Sequence, residues 1–137
     1  GTGISGVIYD YNGNVYPSDE GRMLSRMNDF YFKLGNVYNN TYLEVFNGKK
    51  LRQIISDSSI ETTPNCGWCV YQLFCGVDPV RNYLETNDLV GFRPGSFFCE
   101  LHMMFFDMLF DILSSKDQVT IDILWSWVIP KGEVRDA

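Results

Sequence analysis

The chain has little that would commit it to catalysis on its own. It holds a single histidine, His102, in 137 residues, and no Ser/His/Asp set, phosphate-cradling glycine loop or HExxH pattern is present. Basic residues are scarce as well: 11 Lys and Arg stand against 17 Asp and Glu, for a net charge of −6. Affinity for phosphate backbones rests on clustered cations, so nucleic acid is not an expected partner. Apolar runs stay below the roughly eighteen residues that a membrane helix needs. The densest, Phe97 to Leu113, is broken by Cys99, Glu100, His102, Asp107 and Asp111, so no membrane partner is expected. Gly1 to Gly6 lack the charged start and apolar segment of a secretion signal, which makes the cytoplasm the expected location. An Asn39-Asn40-Thr41 glycosylation pattern carries little weight there. Internal repeats and low-complexity tracts are missing too.

What remains suffices for a packed fold. A hydrophobic content of 45% with 15% aromatics excludes disorder, and the length suits one domain, 1–137. Gly1-Thr2-Gly3 reads as a fragment boundary of a longer protein. Gly6 to Tyr11 is rich in β-branched and aromatic residues and predicts a strand. Asn12-Gly13-Asn14 supplies the positive φ of a tight hairpin turn, and Val15-Tyr16 pairs back before Pro17 ends the ladder. A polar segment, Asp19 to Asp29, leads to a second β-prone run, Phe30 to Leu34, closed by Gly35-Asn36.

Helices are expected from there on. Thr41 caps a short segment with Leu43, Val45 and Phe46, and Leu51, Ile54 and Ile55 share a face of the next helix. Pro64-Asn65 opens a cysteine-rich loop through Gly76. Leu101, Met104, Phe105, Met108, Leu109 and Ile112 recur with helical spacing, as a long amphipathic helix whose Met and Phe stripe is core. Gln118 to Trp127 reads as a terminal helix, with Val119-Thr120-Ile121 leaving a strand open. The fold class is α+β: a small N-terminal hairpin, then helices and a cysteine loop.

The chemistry lies in four cysteines: Cys66 and Cys69 with Gly67-Trp68 between them, Cys75 after five intervening residues, and Cys99 after twenty-three more. A two-residue spacer makes a knuckle that aims two sulfurs at one centre, and Gly67 accepts backbone angles closed to other residues. Three close thiols and one distant one suit a four-iron cluster. Cys99 then staples the last long helix to the loop, with Trp68, Phe74 and Tyr71 as an apolar shell. Structural zinc, Zn2+, is the main alternative, although zinc sites usually pair two short-spaced knuckles. Disulfides need an oxidising compartment, and a redox CxxC lacks its strand-to-helix setting. His102, three residues after Cys99, is read as a partly buried helix histidine with an ordinary partner. Asp19-Glu20 fits a solvated turn at the head of a helix. Asp107 and Asp111, four apart, are exposed acids without a third partner.

Tyr9 to Asp19, Lys33-Leu34-Gly35-Asn36-Val37, and Cys66-x-x-Cys69-x5-Cys75-Gly76 follow one another in an order that resembles the SPASM domain of radical SAM enzymes. Within that class Cys66 to Val80 most resembles the maturase of the His-Xaa-Ser peptide system, and the likeness runs from about Gly6 to Leu113. It implies an auxiliary [4Fe–4S] cluster on Cys66, Cys69, Cys75 and Cys99. SPASM domains carry two such clusters, but the first normally uses a cysteine where this chain has Ser18 and another where it has Asp78-Pro79. The thiols expected near Gly35 are missing also. Hydroxyl and carboxylate are poor replacements for soft thiolate, so one cluster is expected. The motif for the S-adenosylmethionine-cleaving cluster is absent, and no catalysis by this chain alone is expected. The resemblance implies a parent barrel that binds S-adenosylmethionine, forms a 5′-deoxyadenosyl radical and acts on a peptide substrate, with the auxiliary cluster relaying an electron or seating the peptide. Without redox chemistry, the same thiols would make a zinc-stapled module that binds a peptide or partner.

Overall fold

The computed structural model of the protein describes residues 2–115 and 117–128. The rest of the expected 1–137 domain lies outside the described residues. The fold is α+β and forms two compact units, Gly1–Pro94 and Gly95–Ala137.

The first unit starts with the hairpin. β1 (Ile8–Tyr9) pairs antiparallel with β2 (Asn14–Tyr16), with Ile8 opposite Tyr16 and Tyr9 opposite Val15. The turn is longer than the two-residue one that Asn-Gly predicts. Gly13 N–H donates to the Asp10 carbonyl (3.0 Å) and Asp10 N–H to Asn14 O (2.9 Å). Only Gly13 takes a positive φ there, +77°. The Asp10 carboxylate decides this: it accepts from the N–H groups of Asn12 (2.8 Å) and Asn14 (3.0 Å), stabilising the wider loop. β3 (Gly35–Asn36) adds to the other side of β2, giving the order β1-β2-β3.

Two expectations shift between β2 and β3. The polar segment contains a helix, α1 (Asp19–Arg26), whose N-cap Ser18 accepts from Gly21 N–H at 3.2 Å. Asp19 and Glu20 occupy its first turn, and Asp19 pairs with Arg22 at 2.8 Å, which bears out the head-of-helix reading. Phe30 to Leu34 is not the second strand: the ladder forms at Gly35–Asn36 instead. Asp29 Oδ1 accepts from Tyr31 N–H (2.9 Å) and Lys33 N–H returns to Phe30 O (3.0 Å), so the run makes a turn. Tyr31 and Phe32 join the core, whereas Phe30 is exposed. Phe32 is fully buried with Leu24, Ile54, Val80 and Leu89, and Tyr31 stacks on Tyr83 with ring centroids 4.5 Å apart.

α2 (Tyr42–Phe46) and α3 (Lys49–Asp57) follow the sequence signals. Thr41 and Glu44 form a reciprocal capping box, and Leu51 and Ile54 are buried. The Thr41 N–H and hydroxyl hold the Glu44 carboxyl below its ordinary pKa. α4 (Pro79–Thr86), which the sequence reading left unassigned, contributes Val80 to the core.

The second unit contains α5 (Phe97–Ser114) and α6 (Gln118–Ser126), and no described residue in it is buried. α6 is the helix expected there rather than the strand. The α5 stripe is not core: Met104, Phe105, Met108 and Leu109 are exposed. Apolar residues surround nearly the whole circumference of α5, so the spacing reflected composition and not one buried face. No helix among the described residues is long and apolar enough to cross a membrane.

Tyr16 is fully buried, and its hydroxyl has no hydrogen-bond partner among the described residues. A buried hydroxyl without a partner costs about 1 kcal/mol or more. Tyr16→Phe is therefore expected to raise stability by about 1 kcal/mol in urea unfolding followed by circular dichroism. A loss of that size would show that the hydroxyl is bonded.

Candidate metal centre

The cysteine segment starts where α3 ends. Thr63 is buried, at 5% exposure, and its hydroxyl donates back to Ser59 O at 2.9 Å. Its carbonyl accepts the N–H groups of Cys66 (3.1 Å) and Gly67 (3.3 Å). Asn65 takes a left-handed φ of 64°, which swings the chain into a 3-10 turn at Cys66–Trp68. Cys69 N–H closes that turn on Cys66 O at 3.0 Å. Gln72 N–H then bonds Cys69 O at 3.0 Å, and a second turn, Gln72–Phe74, delivers Cys75, whose N–H meets Tyr71 O at 3.1 Å. The knuckle exists, but not for the reason first given. Gly67 has no positive φ; a Cβ there would lie 2.9 Å from the Glu61 carbonyl oxygen, so close approach explains the glycine.

All four cysteines are partly exposed and none is in a disulfide. The expected apolar shell is not formed, because Trp68 is 95% exposed and Phe74 is exposed too. A groove of about 360 Å³, with Ile55, Ser59, Glu61, Cys75 and Gly76 among its walls, opens beside the third thiol. The Ser59 hydroxyl, 2.7 Å from Glu61 Oε2, holds that carboxyl below its usual range.

Beyond Cys75 the chain is tied down again. The Cys75 thiol approaches Gly76 O at 3.7 Å, and the buried Arg93 donates Nη2–H to the same oxygen. Asp78 then caps α4, its Oδ1 accepting from Val80 N–H and Arg81 N–H at 3.1 Å each, with Pro79 in the first turn. Ser18 and Asp78 thus have the same employment as helix N-caps.

Cys99 lies in the first turn of α5, its N–H bonded to the capping Ser96 hydroxyl at 3.2 Å, and its sulfur is 3.8 Å from Met103 Sδ. His102 has the ordinary partner expected of it. Nδ1 meets Phe98 O at 2.8 Å and the ring stacks on Phe98 at 3.9 Å. Asp107 and Asp111 are exposed.

Among the described residues no three His, Cys, Asp or Glu side chains gather in a geometry that holds a metal ion. Thiolate sites assemble as the metal binds, since the metal replaces the thiol protons and pulls the sulfurs together. The donor chemistry fits an iron–sulfur group: soft thiols, reachable from solvent, on short turns whose backbone N–H groups are already placed. Residues missed by sequence reasoning are Arg93 and the cap role of Asp78. The Asp-Pro step was a legible helix start, whereas nothing local marks Arg93.

Residues 4–70 match the family model of SPASM, the iron–sulfur cluster-binding domain. The match takes in the hairpin, α1 to α3 and the Cys66–Cys69 knuckle, and ends ahead of Cys75. No curated protein and no solved structure matches the chain.

If capping is what Asp78 does, Asp78→Ala lowers stability by about 1 kcal/mol, and Asp78→Asn, which keeps the acceptor, by less than half of that. Urea titration of the three proteins gives the comparison. Equal stability of Asp78→Ala and the parent would refute the cap.

Proposed function

We propose that the chain holds one auxiliary [4Fe–4S] cluster on Cys66, Cys69, Cys75 and Cys99 and works as the electron-relay domain of a radical SAM enzyme that modifies a ribosomally made peptide. The observation that supports this most is the match of residues 4–70 to an iron–sulfur cluster-binding domain, running through the hairpin into the first two thiols. The Cys75 and Cys99 spacing continues the ligand set from there.

A bound four-iron cluster supplies one-electron chemistry at a potential set by its charge, hydrogen bonds and exposure. The residues of this chain supply thiolates, fix their turns and leave the loop open at Trp68 for a partner. One cluster suffices as the reading, because Ser18 and Asp78 already satisfy helix N-termini and offer no soft ligand. The partners in this proposal are the parent barrel, which binds S-adenosylmethionine, and the peptide. The His-Xaa-Ser maturase is the parent system that the Cys66 to Val80 stretch favours, and a reducing cytoplasm is the setting in which these thiols stay available.

Anaerobic reconstitution of the chain, followed by iron, sulfide and zinc analysis, tests the assignment. The expected yield is about four irons and about four sulfides per chain, lost in Cys69→Ser and Cys75→Ser. One tight zinc with no iron uptake would overturn it in favour of a zinc-stapled binding module.

A further inference from the structure

Thr63 and Arg93 are the only buried polar or charged residues among those described, each 5% exposed, and they hold opposite ends of the cysteine segment. Thr63 O receives Cys66 and Gly67 at the start; Arg93 grips Gly76 O at the finish. Between them, residues 64–76 include no buried side chain. The segment is held at its ends and through backbone turns, with no fully buried side chain between.

Building on the cluster reading above, we infer that Arg93 is a positioning residue for the metal centre, holding the Cys75-Gly76 step in place and setting a buried positive charge beside the Cys75 thiolate.

The shared carbonyl carries the argument. Without metal, the Cys75 S–H faces Gly76 O at 3.7 Å, an acceptor for its weak donor. Metal binding removes that proton, and a thiolate then faces a carbonyl oxygen with like partial charge. The Arg93 N–H on the same oxygen draws off that negative charge, and the guanidinium attracts the thiolate itself. A thiolate-ligated cluster gains a further negative charge on reduction. A nearby buried cation favours the reduced form, so Arg93 raises the potential as well as slowing metal loss. Neither effect needs Arg93 to touch the metal.

The test uses the reconstituted chain with Arg93→Lys, which keeps charge, and Arg93→Gln, which keeps a planar N–H donor without charge. Metal release to a chelator and the midpoint potential are read for each, with folding checked by circular dichroism. Arg93→Gln is expected to release metal about tenfold faster and to shift the reduction equilibrium about tenfold toward the oxidised form, a fall of about 59 mV for one electron. Arg93→Lys is expected to keep the parent potential. A folded Arg93→Gln with parental release and potential overturns the proposal, as does an Arg93→Lys potential that falls as far as that of Arg93→Gln. If Arg93→Gln does not fold, Arg93→Lys decides: the parent potential supports the proposal, and a fall of about 59 mV overturns it. A parent chain that takes zinc and refuses iron sinks the cluster reading alone; zinc release from Arg93→Gln, about tenfold faster or unchanged, then decides the role of Arg93. A chain that takes neither metal overturns both.

Discussion

A loop with no fully buried side chain depends on what holds its ends. Residues 64–76 have no buried side chain, and their order comes from 3-10 turns pinned at Thr63 and Arg93. Those two residues are buried in the first unit, whose core is built by Leu24, Phe32, Ile54, Val80 and Leu89 with Tyr31 and Tyr83 packed against it. Core packing thus sets the anchor points, the anchors set the turns, and the turns set the sulfurs.

On the one-cluster proposal, the same logic separates this chain from a two-cluster SPASM domain. Ser18 and Asp78 stand where the resemblance puts first-cluster cysteines, and each instead satisfies N–H groups at the start of a helix. Capping ties these residues to stability. Their oxygens point at backbone donors of α1 and α4, which are elements of the core. A thiolate at either place would give up that cap.

Local signals made part of this legible in the sequence. The hairpin around Asn12-Gly13 with flanking β-branched residues, the Thr41 cap, and the Leu51 and Ile54 face each act through neighbours in the chain, although the turn came out longer than expected. Misreadings came where tertiary context decided. Phe30 to Leu34 has β propensity, yet consecutive aromatics face one core and Asp29 turns the backbone. On α5 the spacing looked amphipathic because apolar residues outnumber the gaps between them. Trp68 looked like shielding since aromatics beside cysteines usually shield, but it is almost fully exposed. The cysteine set was legible as chemistry from types and spacing. Arg93, seventeen residues from its acceptor in a Phe92-Arg93-Pro94 step, was not, because only the fold brings it to Gly76.

The central claim is that the four thiols form one ligand set. Alkylation of the metal-free and the anaerobically loaded chain, read cysteine by cysteine by mass spectrometry, tests it most directly. Each thiol is partly exposed, so all four label without metal. The account predicts that Cys66, Cys69, Cys75 and Cys99 become protected together on loading. Rapid labelling of Cys99 in a loaded chain whose other three cysteines are protected would contradict it.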